Sequence, residues 1–380
     1  MRQAAFLIAV IAVSWASTTV DGQTTRYGEI GSAAASQTLF QTSLAPEAAY
    51  GAFRRELMRL APVESLWAAG VADPQKSKPK PQPEPEPVQR PPIDPSMVGY
   101  IDEAIIQSEI RMRFDAAERD DTPDRAEYFY AKCGCYRGLP PTNTAYDPTA
   151  PGPGPGIPQY VNFQQLYIYG EFAPSHRYSF FGQLPFRWLQ AQGTPQAFPS
   201  SGGIGDIQVG AKFAPFESET HFLTFQFASH LPSGDPVKGL GTNHATIEPM
   251  VLYYQSLGSR GSIEAQFGDT HPLSSSKGVP GVSGGGFAGD VLTYGVGGSY
   301  QFVQHESTRV AGVLELVGWN VQGGMLTPPA STDGVNIVNL KIGPRISFAG
   351  HQSIYVGYGI ALTSNTWYHE IFRTEYRYAF

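Results

Sequence analysis

The chain ends in TWYHEIFRTEYRYAF, residues 366–380, and this stretch decides the fold. Every second position from 372 carries an aromatic ring or a threonine: Phe372, Thr374, Tyr376, Tyr378 and Phe380. The other face carries polar or charged side chains at His369, Arg373, Glu375 and Arg377. A period of two predicts a β-strand. One aromatic and one charged face suit a strand with lipid on one side and water on the other.

The same period recurs along the chain from residue 98. In the first such segment, Ile110, Met112 and Phe114 alternate with Arg111 and Arg113. About twelve segments of this kind are present, most of them near the ten residues that a tilted strand needs to cross a bilayer. They lie near residues 103–115, 162–173, 177–189, 205–214, 220–229, 245–255, 261–268, 291–303, 309–318, 335–348, 353–362 and 367–380. We therefore expect an all-β fold, a transmembrane antiparallel up-and-down β-barrel of about twelve strands.

The connections between these segments alternate in length. Short connections such as 173–176, 215–219 and 349–351 are interleaved with long Gly/Pro/Ser/Thr-rich loops. The long loops are at 116–161, 190–204, 230–244, 269–290 and 319–334. Outer-membrane barrels place short turns at the periplasmic end and longer loops outside. Only the last connection, 363–366, is short where a long one is due.

The N-terminal residues predict three further segments. Residues 1–22 are typical of a signal peptide, with Arg2 before the apolar run Ala4–Val13 and small residues after it. Residues 23–73 are expected to be a short, partly helical periplasmic segment. Residues 74–97 alternate proline with Lys, Gln and Glu, the pattern of a stiff Pro-rich linker. The β-barrel is then expected to occupy residues 98–380.

Composition excludes several classes of protein. The net charge is −7, with no Lys/Arg cluster, so we expect no nucleic-acid partner. The eight histidines show no metal-ligand spacing, and no phosphate-binding loop is present, so no cofactor is expected. Residues 281–285 match the G-x-S-x-G motif of serine hydrolases, but they lie in a Gly/Ser-rich loop rather than at a strand–turn–helix. We therefore expect that the protein is not an enzyme. Cys133 and Cys135 could form a strained disulfide or contribute to a metal site.

The aromatic C-terminal strand resembles the recognition signal of outer-membrane proteins. In such signals the barrel assembly machinery reads a final aromatic residue, and the matching positions here are Tyr376, Tyr378 and Phe380. The resemblance implies the bacterial outer membrane as location, with the N-terminal segment in the periplasm. Outer-membrane lipid and the assembly machinery are the partners that it implies.

A glycine-rich pattern carries a second resemblance. Gly203 and Gly205-Asp206 precede Gly210-Ala-Lys212, and Leu231-Pro-Ser-Gly-Asp235 and Gly239-Leu-Gly-Thr242 follow. These motifs resemble the barrel family named for a putative MetA pathway of phenol degradation, over roughly residues 200–380. Its members are described as outer-membrane transporters, broadly similar to long-chain fatty acid channels. The resemblance implies uptake of small, often hydrophobic molecules.

The alternation of faces predicts which charged side chains line the lumen. Basic candidates lie on the first, tenth and twelfth strands: Arg111, Arg113, Lys341, Arg345, Arg373 and Arg377. Acidic candidates lie largely on the opposite wall: Asp206, Glu264 and Glu315. These charges either set up a field that orients polar or anionic solutes or pair across adjacent strands in a narrow closed barrel.

The sequence thus favours a channel or transporter for passive uptake of a small-molecule solute, hydrophobic or anionic. The alternative is a structural or adhesive outer-membrane barrel with a closed lumen.

Overall fold

A computed structural model describes residues 96–121, 140–143, 146, 159–192, 200–273, 288–326, 330–331 and 333–380. The chain separates into two units, Met1–Glu84 and Pro85–Phe380, and all of these residues lie in the second. The predicted signal peptide, helical segment and most of the linker therefore lie outside the described residues, as do Cys133, Cys135 and the G-x-S-x-G motif. Within the described ranges, no helix is long and apolar enough to cross a membrane.

The structure is built from β-strands. They are β1 (Glu109–Asp120), β2 (Tyr160–Ser175), β3 (Tyr178–Gln192), β4 (Ser201–Ile204), β5 (Ile207–Glu217), β6 (His221–Leu231), β7 (Thr246–Leu257), β8 (Gly261–Pro272), β9 (Val291–Gln304), β10 (Thr308–Val321), β11 (Met325–Leu326), β12 (Ala330–Ser331), β13 (Val335–Phe348), β14 (Gln352–Ala361) and β15 (Glu370–Ala379). One 3-10 turn, Pro236–Lys238, lies between β6 and β7. The short strands β11 and β12 pair only with each other.

The remaining strands form one sheet that closes on itself. Each long strand pairs antiparallel with its neighbours in the chain, and β1 pairs with β15 from Glu109–Ala379 to Glu118–Glu370. The strands β4 and β5 both pair with β3 and are two halves of one strand, interrupted at Gly205-Asp206. Counting them as one gives a closed barrel of twelve antiparallel strands, which confirms the predicted fold class.

The two ends of the barrel differ. At one end, here called the short-turn end, a few residues join β2 to β3, β5 to β6, β7 to β8, β9 to β10 and β13 to β14. At the other, the long-loop end, the connections are longer, and they include residues 232–245 between β6 and β7. The connection from β14 to β15, residues 362–369, is also at the long-loop end.

The two faces of the barrel wall have opposite character. Large apolar side chains are exposed on the outside, among them Phe172, Phe180, Phe216, Phe267 and Phe302. Inward positions instead bury polar and charged side chains, among them Glu264, Glu315, Arg345 and Arg377. An apolar exterior around a polar interior is the pattern of outer-membrane barrels, because the lipid core offers no partner for polar groups.

The first strand begins later than its periodicity predicts. Sequence alternation places its start near residue 103, whereas β1 starts at Glu109. Residues 96–108 precede it without regular structure, and most of them are buried. Ile106 and Ser108 continue the alternation of β1, but periodicity does not distinguish a strand from an extended segment packed inside the barrel.

Candidate functional site

Residues Ser96–Ser108, here called the inner segment, lie inside the short-turn half of the barrel. Met97, Val98 and Ile101 pack with Ala311, Val313 and Tyr355 of the wall. Ala104 and Ile105 pack against another part of the wall: Phe222, Met250, Leu252 and Tyr254. Its last residue is at the short-turn end, where the Ser108 carbonyl accepts a hydrogen bond of 2.9 Å from Phe380 N. Ser96 lies in the same half, because its carbonyl accepts from Arg377 and its hydroxyl donates to Glu264.

Glu315 holds the tip of the inner segment. Its carboxylate accepts hydrogen bonds from three successive backbone amides, those of Gly99 at 3.1 Å, Tyr100 at 2.9 Å and Ile101 at 2.9 Å. Successive amides that converge on one anion form a nest, in which the carboxylate receives several charge-assisted bonds. A side chain on Gly99 would overlap the ring of Tyr355, so this close approach requires glycine.

Three arginines of the wall bind backbone carbonyls of the same segment. Arg345 donates to Met97 O at 2.8 Å and Val98 O at 2.7 Å. Arg373 donates to the carbonyl of Gly99 at 2.7 Å, and Arg377 to that of Ser96 at 3.2 Å. These residues precede the first strand, so the arginines bind backbone that is not part of the β-sheet.

These arginines are also paired with carboxylates. Arg373 makes two bonds to Asp115, at 2.6 and 2.7 Å. Arg345 lies 2.9 Å from Glu375, and Arg377 lies 2.7 Å from Glu103 of the inner segment and 3.2 Å from Glu375. The exposed fraction of each of these arginines is 6% or less. Pairing is therefore required, because an unpaired charge at this depth is very costly.

The opposite wall contacts the inner segment through polar groups. Ser96 Oγ donates to the Glu264 carboxylate at 2.8 Å. Lys212 Nζ lies 2.9 Å from Glu171 and donates to the Glu103 carbonyl at 3.2 Å. Gln226 donates to Asp102 at 2.9 Å. The segment is thus held from several sides of the barrel.

The predicted lumen residues divide between two places. Arg345, Arg373, Arg377, Glu264 and Glu315 contact the inner segment directly, as described above. Arg111 joins them through Glu103 at 3.0 Å, whereas Arg113 lies 3.8 Å from Asp115 with its guanidinium 4.1 Å from the Tyr167 ring centroid. Lys341 donates to Tyr368 Oη at 2.8 Å. Asp206 stands apart, at the long-loop end.

Asp206 anchors residues 232–245, here called the mouth loop. Its carboxylate accepts bonds from Gly234 N at 2.9 Å and from Thr242 N at 2.8 Å. A Cβ on Gly241 would overlap this carboxylate, which explains a glycine there. His244 donates its Nδ1 proton to Thr242 O at 2.9 Å, and burial lowers the pKa of its imidazole. Asp206 therefore fixes a loop rather than facing an open lumen.

The mouth loop completes an apolar cluster at the long-loop end. Leu240 is buried there together with side chains from several strands: Ala117, Val161, Phe163, Leu189, Val291, Val321, Ile337, Trp367, Tyr368 and Ile371. Tyr100 of the inner segment is packed against this apolar cluster and also against the Met97–Tyr355 group. The lumen is thus filled from the short-turn end by the inner segment and from the long-loop end by the apolar cluster.

Little space remains beside the inner segment. A cavity of about 30 Å³ lies between Asp102, Arg111, Arg113, Tyr167 and Gln226, among others. A cavity of this size holds about two water molecules. With most of the wall charges in pairs, the geometry favours the second of the two interpretations of these charges, pairing in a narrow lumen.

The sequence did not predict the inner segment or several of the residues that hold it in the lumen. Glu103 was expected inside β1, Asp115 was not singled out, and Tyr100 lay at the predicted barrel boundary. The local pattern gives no signal for the inner segment, because Ile106 and Ser108 simply prolong the period-two pattern of β1. Tyr378 and Phe380, predicted for the assembly signal, lie exposed on the outer face, and Tyr376 Oη donates to Gln352 at 3.0 Å. Their assembly role stays a prediction.

The chain was compared with known protein families and with curated sequences. Residues 156–271 match the profile of the family described as "Putative MetA-pathway of phenol degradation". No curated protein sequence matches the chain.

Several solved barrels are similar in structure. An outer membrane channel from Pseudomonas putida F1 is 14% identical, with 72% of this chain and 96% of that chain covered and a TM-score of 0.46. The KdgM porin is 10% identical, with 72% and 99% covered and a TM-score of 0.36. LpxR from Salmonella typhimurium is 10% identical, with 72% and 100% covered and a TM-score of 0.38. The chain is a closed barrel of twelve antiparallel strands, and its predicted resemblance to the MetA-pathway family is confirmed over residues 156–271.

Proposed function

We propose that the chain is a channel for passive uptake of small molecules across the outer membrane, and that the structure represents its closed state. The observation that carries the proposal is the inner segment, which fills the lumen through hydrogen bonds to wall charges. Glu315 and Arg345 each make at least two of these bonds to backbone of the segment. A channel whose barrier is a non-covalently bound segment opens when that segment moves.

The chemistry of the wall supports a lumen that opens to water. A permanently closed barrel has no need of buried ion pairs, because apolar side chains of similar volume are often as stabilising. Here Arg345, Arg373 and Glu315 have exposed fractions of 6% or less. Their charges are tolerated at this depth because the inner segment and neighbouring side chains supply hydrogen-bond partners. With the segment displaced, water would hydrate the same groups.

The arrangement of the ends indicates a direction. The inner segment leaves the lumen at the short-turn end, with Ser96 in the same half, and this end of outer-membrane barrels faces the periplasm. We propose that residues 23–97 are periplasmic apart from the stretch already inside the lumen, and that the segment is released toward that side. The terminal strand with Tyr376, Tyr378 and Phe380 would be read by the barrel assembly machinery.

The side chains that line the lumen indicate the class of solute. The long-loop end is lined by the apolar cluster around Leu240 and Trp367, which favours a solute with an apolar body. Anionic solutes have less support, because Arg345, Arg373 and Arg377 are already paired with carboxylates.

The alternative function is a structural barrel whose lumen stays closed. The small remaining cavity, about 30 Å³, is the observation that favours it.

Swelling of proteoliposomes in solutes of graded size separates the two functions. The full chain is compared with a variant that lacks Met97–Ile106, and heat-modifiable gel migration shows that both barrels are folded. The channel proposal expects slow swelling for the full chain and faster swelling for the variant. A folded full chain that admits no solute of any size, whatever the variant admits, supports the structural barrel.

A further inference from the structure

Three side chains of the kind that bind metal ions converge where β8 and β9 meet the long-loop end. Asp269 and His271 lie on the same face of β8, and Asp290 directly precedes β9. One ligand atom from each residue, an imidazole nitrogen and two carboxylate oxygens, lies within 4.8 Å of the other two. Carboxylate oxygen and imidazole nitrogen are together the ligands of Zn²⁺ and similar divalent ions. The three residues thus form a candidate metal site.

The backbone fixes these residues, and their charges are not balanced. Asp269 pairs with Leu292 in the ladder between β8 and β9, and the Asp290 carbonyl accepts a bond of 2.7 Å from Gln322 N. His271 Nδ1 lies 2.8 Å from Asp290 Oδ1, with the two side chains 49% and 42% exposed. Among the described residues, no Lys or Arg lies within ion-pair distance of either carboxylate. One imidazole therefore faces two negative charges, at a point that an ion reaches from solvent.

The three residues face the outside of the barrel wall. On β8, Ile263 and Phe267 are exposed on the outer face, and Asp269 and His271 continue the same alternation. Tyr294 pairs with Phe267, and tyrosine on the outer wall is typical of the membrane interface. Charges on the lipid side of a barrel are costly at the midplane but tolerated near the interface. The site therefore lies at the level of lipid head groups, at the end of the barrel that faces outside.

An apolar groove of about 600 Å³ extends from Asp269 along the same outer face. In one row across the strands, Phe180 pairs with Ala211, Ala211 with Phe227, and Phe227 with Pro249. Ala211 and Pro249 are shorter than the rings beside them, which leaves a depression in this row. The wall toward the short-turn end is a second row of larger side chains: Phe213, Phe225, Val251 and Phe267. The groove has the volume of a small-ligand site, about 300–1,000 Å³.

We propose that Asp269, His271 and Asp290 bind a divalent metal ion, and that this ion holds the phosphate of an outer-leaflet lipid whose acyl chain lies in the groove. Three protein ligands leave a fourth position of the ion for a phosphate oxygen. The metal is required because two carboxylates repel an anionic phosphate. The groove favours a lipid over free phosphate, since Asp269 lines both the metal site and the groove. The site is independent of solute passage, and a closed barrel would carry it equally.

Metal binding is measured first, by calorimetry on the full chain in detergent after treatment with EDTA. The probe is Zn²⁺, and Ca²⁺ is the comparison because it prefers oxygen ligands alone. We expect Zn²⁺ to bind more tightly than Ca²⁺, and His271→Ala to weaken Zn²⁺ binding about tenfold or more. His305→Ala, in the exposed turn between β9 and β10, is the matched control and should bind as the wild type does. No Zn²⁺ binding by the wild type, or equal binding by a folded His271→Ala barrel, would overturn the proposal.

Lipid binding is then measured by native mass spectrometry with dimyristoyl phosphatidic acid. Dimyristoylglycerol is the matched lipid without a phosphate, and inorganic phosphate is the matched anion without an acyl chain. We expect the wild type to retain about tenfold more phosphatidic acid with Zn²⁺ than after EDTA or in His271→Ala, with no effect of Zn²⁺ on dimyristoylglycerol. Ala211→Phe fills the groove away from the metal ligands, so it should lose the lipid and keep Zn²⁺. Val356→Phe, on the exposed outer face of β14, should change neither.

Two results in this second experiment would contradict the proposal even if Zn²⁺ binds. Retention of phosphatidic acid that does not depend on Zn²⁺ would show that the metal does not hold the phosphate. Retention that Ala211→Phe leaves unchanged, or inorganic phosphate that binds as tightly as the lipid, would show that the groove takes no part. Heat-modifiable gel migration of every variant shows that the barrels compared are folded.

Discussion

At the scale of single residues, Glu315 is the side chain whose change should affect the closed state most selectively. Its carboxylate accepts three backbone amides from Gly99 to Ile101, and its exposed fraction is 1%. In Glu315→Gln, one acceptor oxygen becomes an NH₂ group that faces amide donors. The loss of such bonds costs about 1–3 kcal/mol, which corresponds to about 5- to 150-fold in an equilibrium.

We therefore expect more frequent openings of Glu315→Gln in planar bilayers, with unchanged barrel folding. The matched control is Glu306→Gln, because Glu306 is exposed in the turn between β9 and β10. Opening frequencies that are equal in the two variants would show that Glu315 does not hold the segment.

Residue identity alone predicts only part of this site. Alternation points Arg373, Glu375 and Arg377 inward, because three successive alternate positions of the terminal strand are charged, and all three side chains are buried in the structure. It does not predict their partners. Ser96 and Glu264 are 168 residues apart in the chain, and such a contact leaves no local pattern in the sequence.

At the scale of elements, the mouth loop depends on one carboxylate from the break between β4 and β5. Asp206 receives bonds from Gly234 and Thr242, and Ser201 Oγ donates to Lys238 O at 2.8 Å. The Lys238 side chain is 60% exposed, so a protease could reach it once the backbone is released.

Asp206→Asn should speed trypsin cleavage after Lys238 about tenfold. In Glu219→Gln, altered at the other end of the barrel, the rate should not change; equal rates in both variants would contradict the anchoring role.

The mouth loop should also respond to pH through His244. Burial lowers the pKa of its imidazole, against the raising effect of the Thr242 carbonyl and of Asp206, while His230 lowers it further. A histidine whose folded pKa lies below its unfolded value stabilises the fold above about pH 6.5, and this stability is lost as the pH falls. Amide exchange at residues 240–244, corrected for intrinsic rates, should therefore rise between pH 7 and pH 5. The rise should be absent in His244→Gln, and an equal rise there would assign it to another group.

The presence of each strand was easier to predict than the residues at which it begins and ends. Twelve segments of period two give twelve strands because one face must meet lipid and the other the lumen. The start of β1 differs because Ile106 and Ser108 prolong the alternation into the inner segment, where the wall buries side chains as a neighbouring strand would.

At the scale of the whole molecule, the barrel encloses part of its own chain. Closure of β1 onto β15 could be expected from an even number of strands, whereas the filling of the lumen could not. It depends on where residues that precede the barrel sit in three dimensions. The central claim is therefore that Ser96–Ser108 closes the short-turn half of the lumen, and that the barrel conducts once this segment is removed.

Single-channel conductance in planar bilayers tests that claim most directly. The full chain is compared with the folded variant that lacks Met97–Ile106. The account predicts a full chain that is closed or opens only briefly, and a variant with stable, larger conductance steps. A folded variant as closed as the full chain would contradict it.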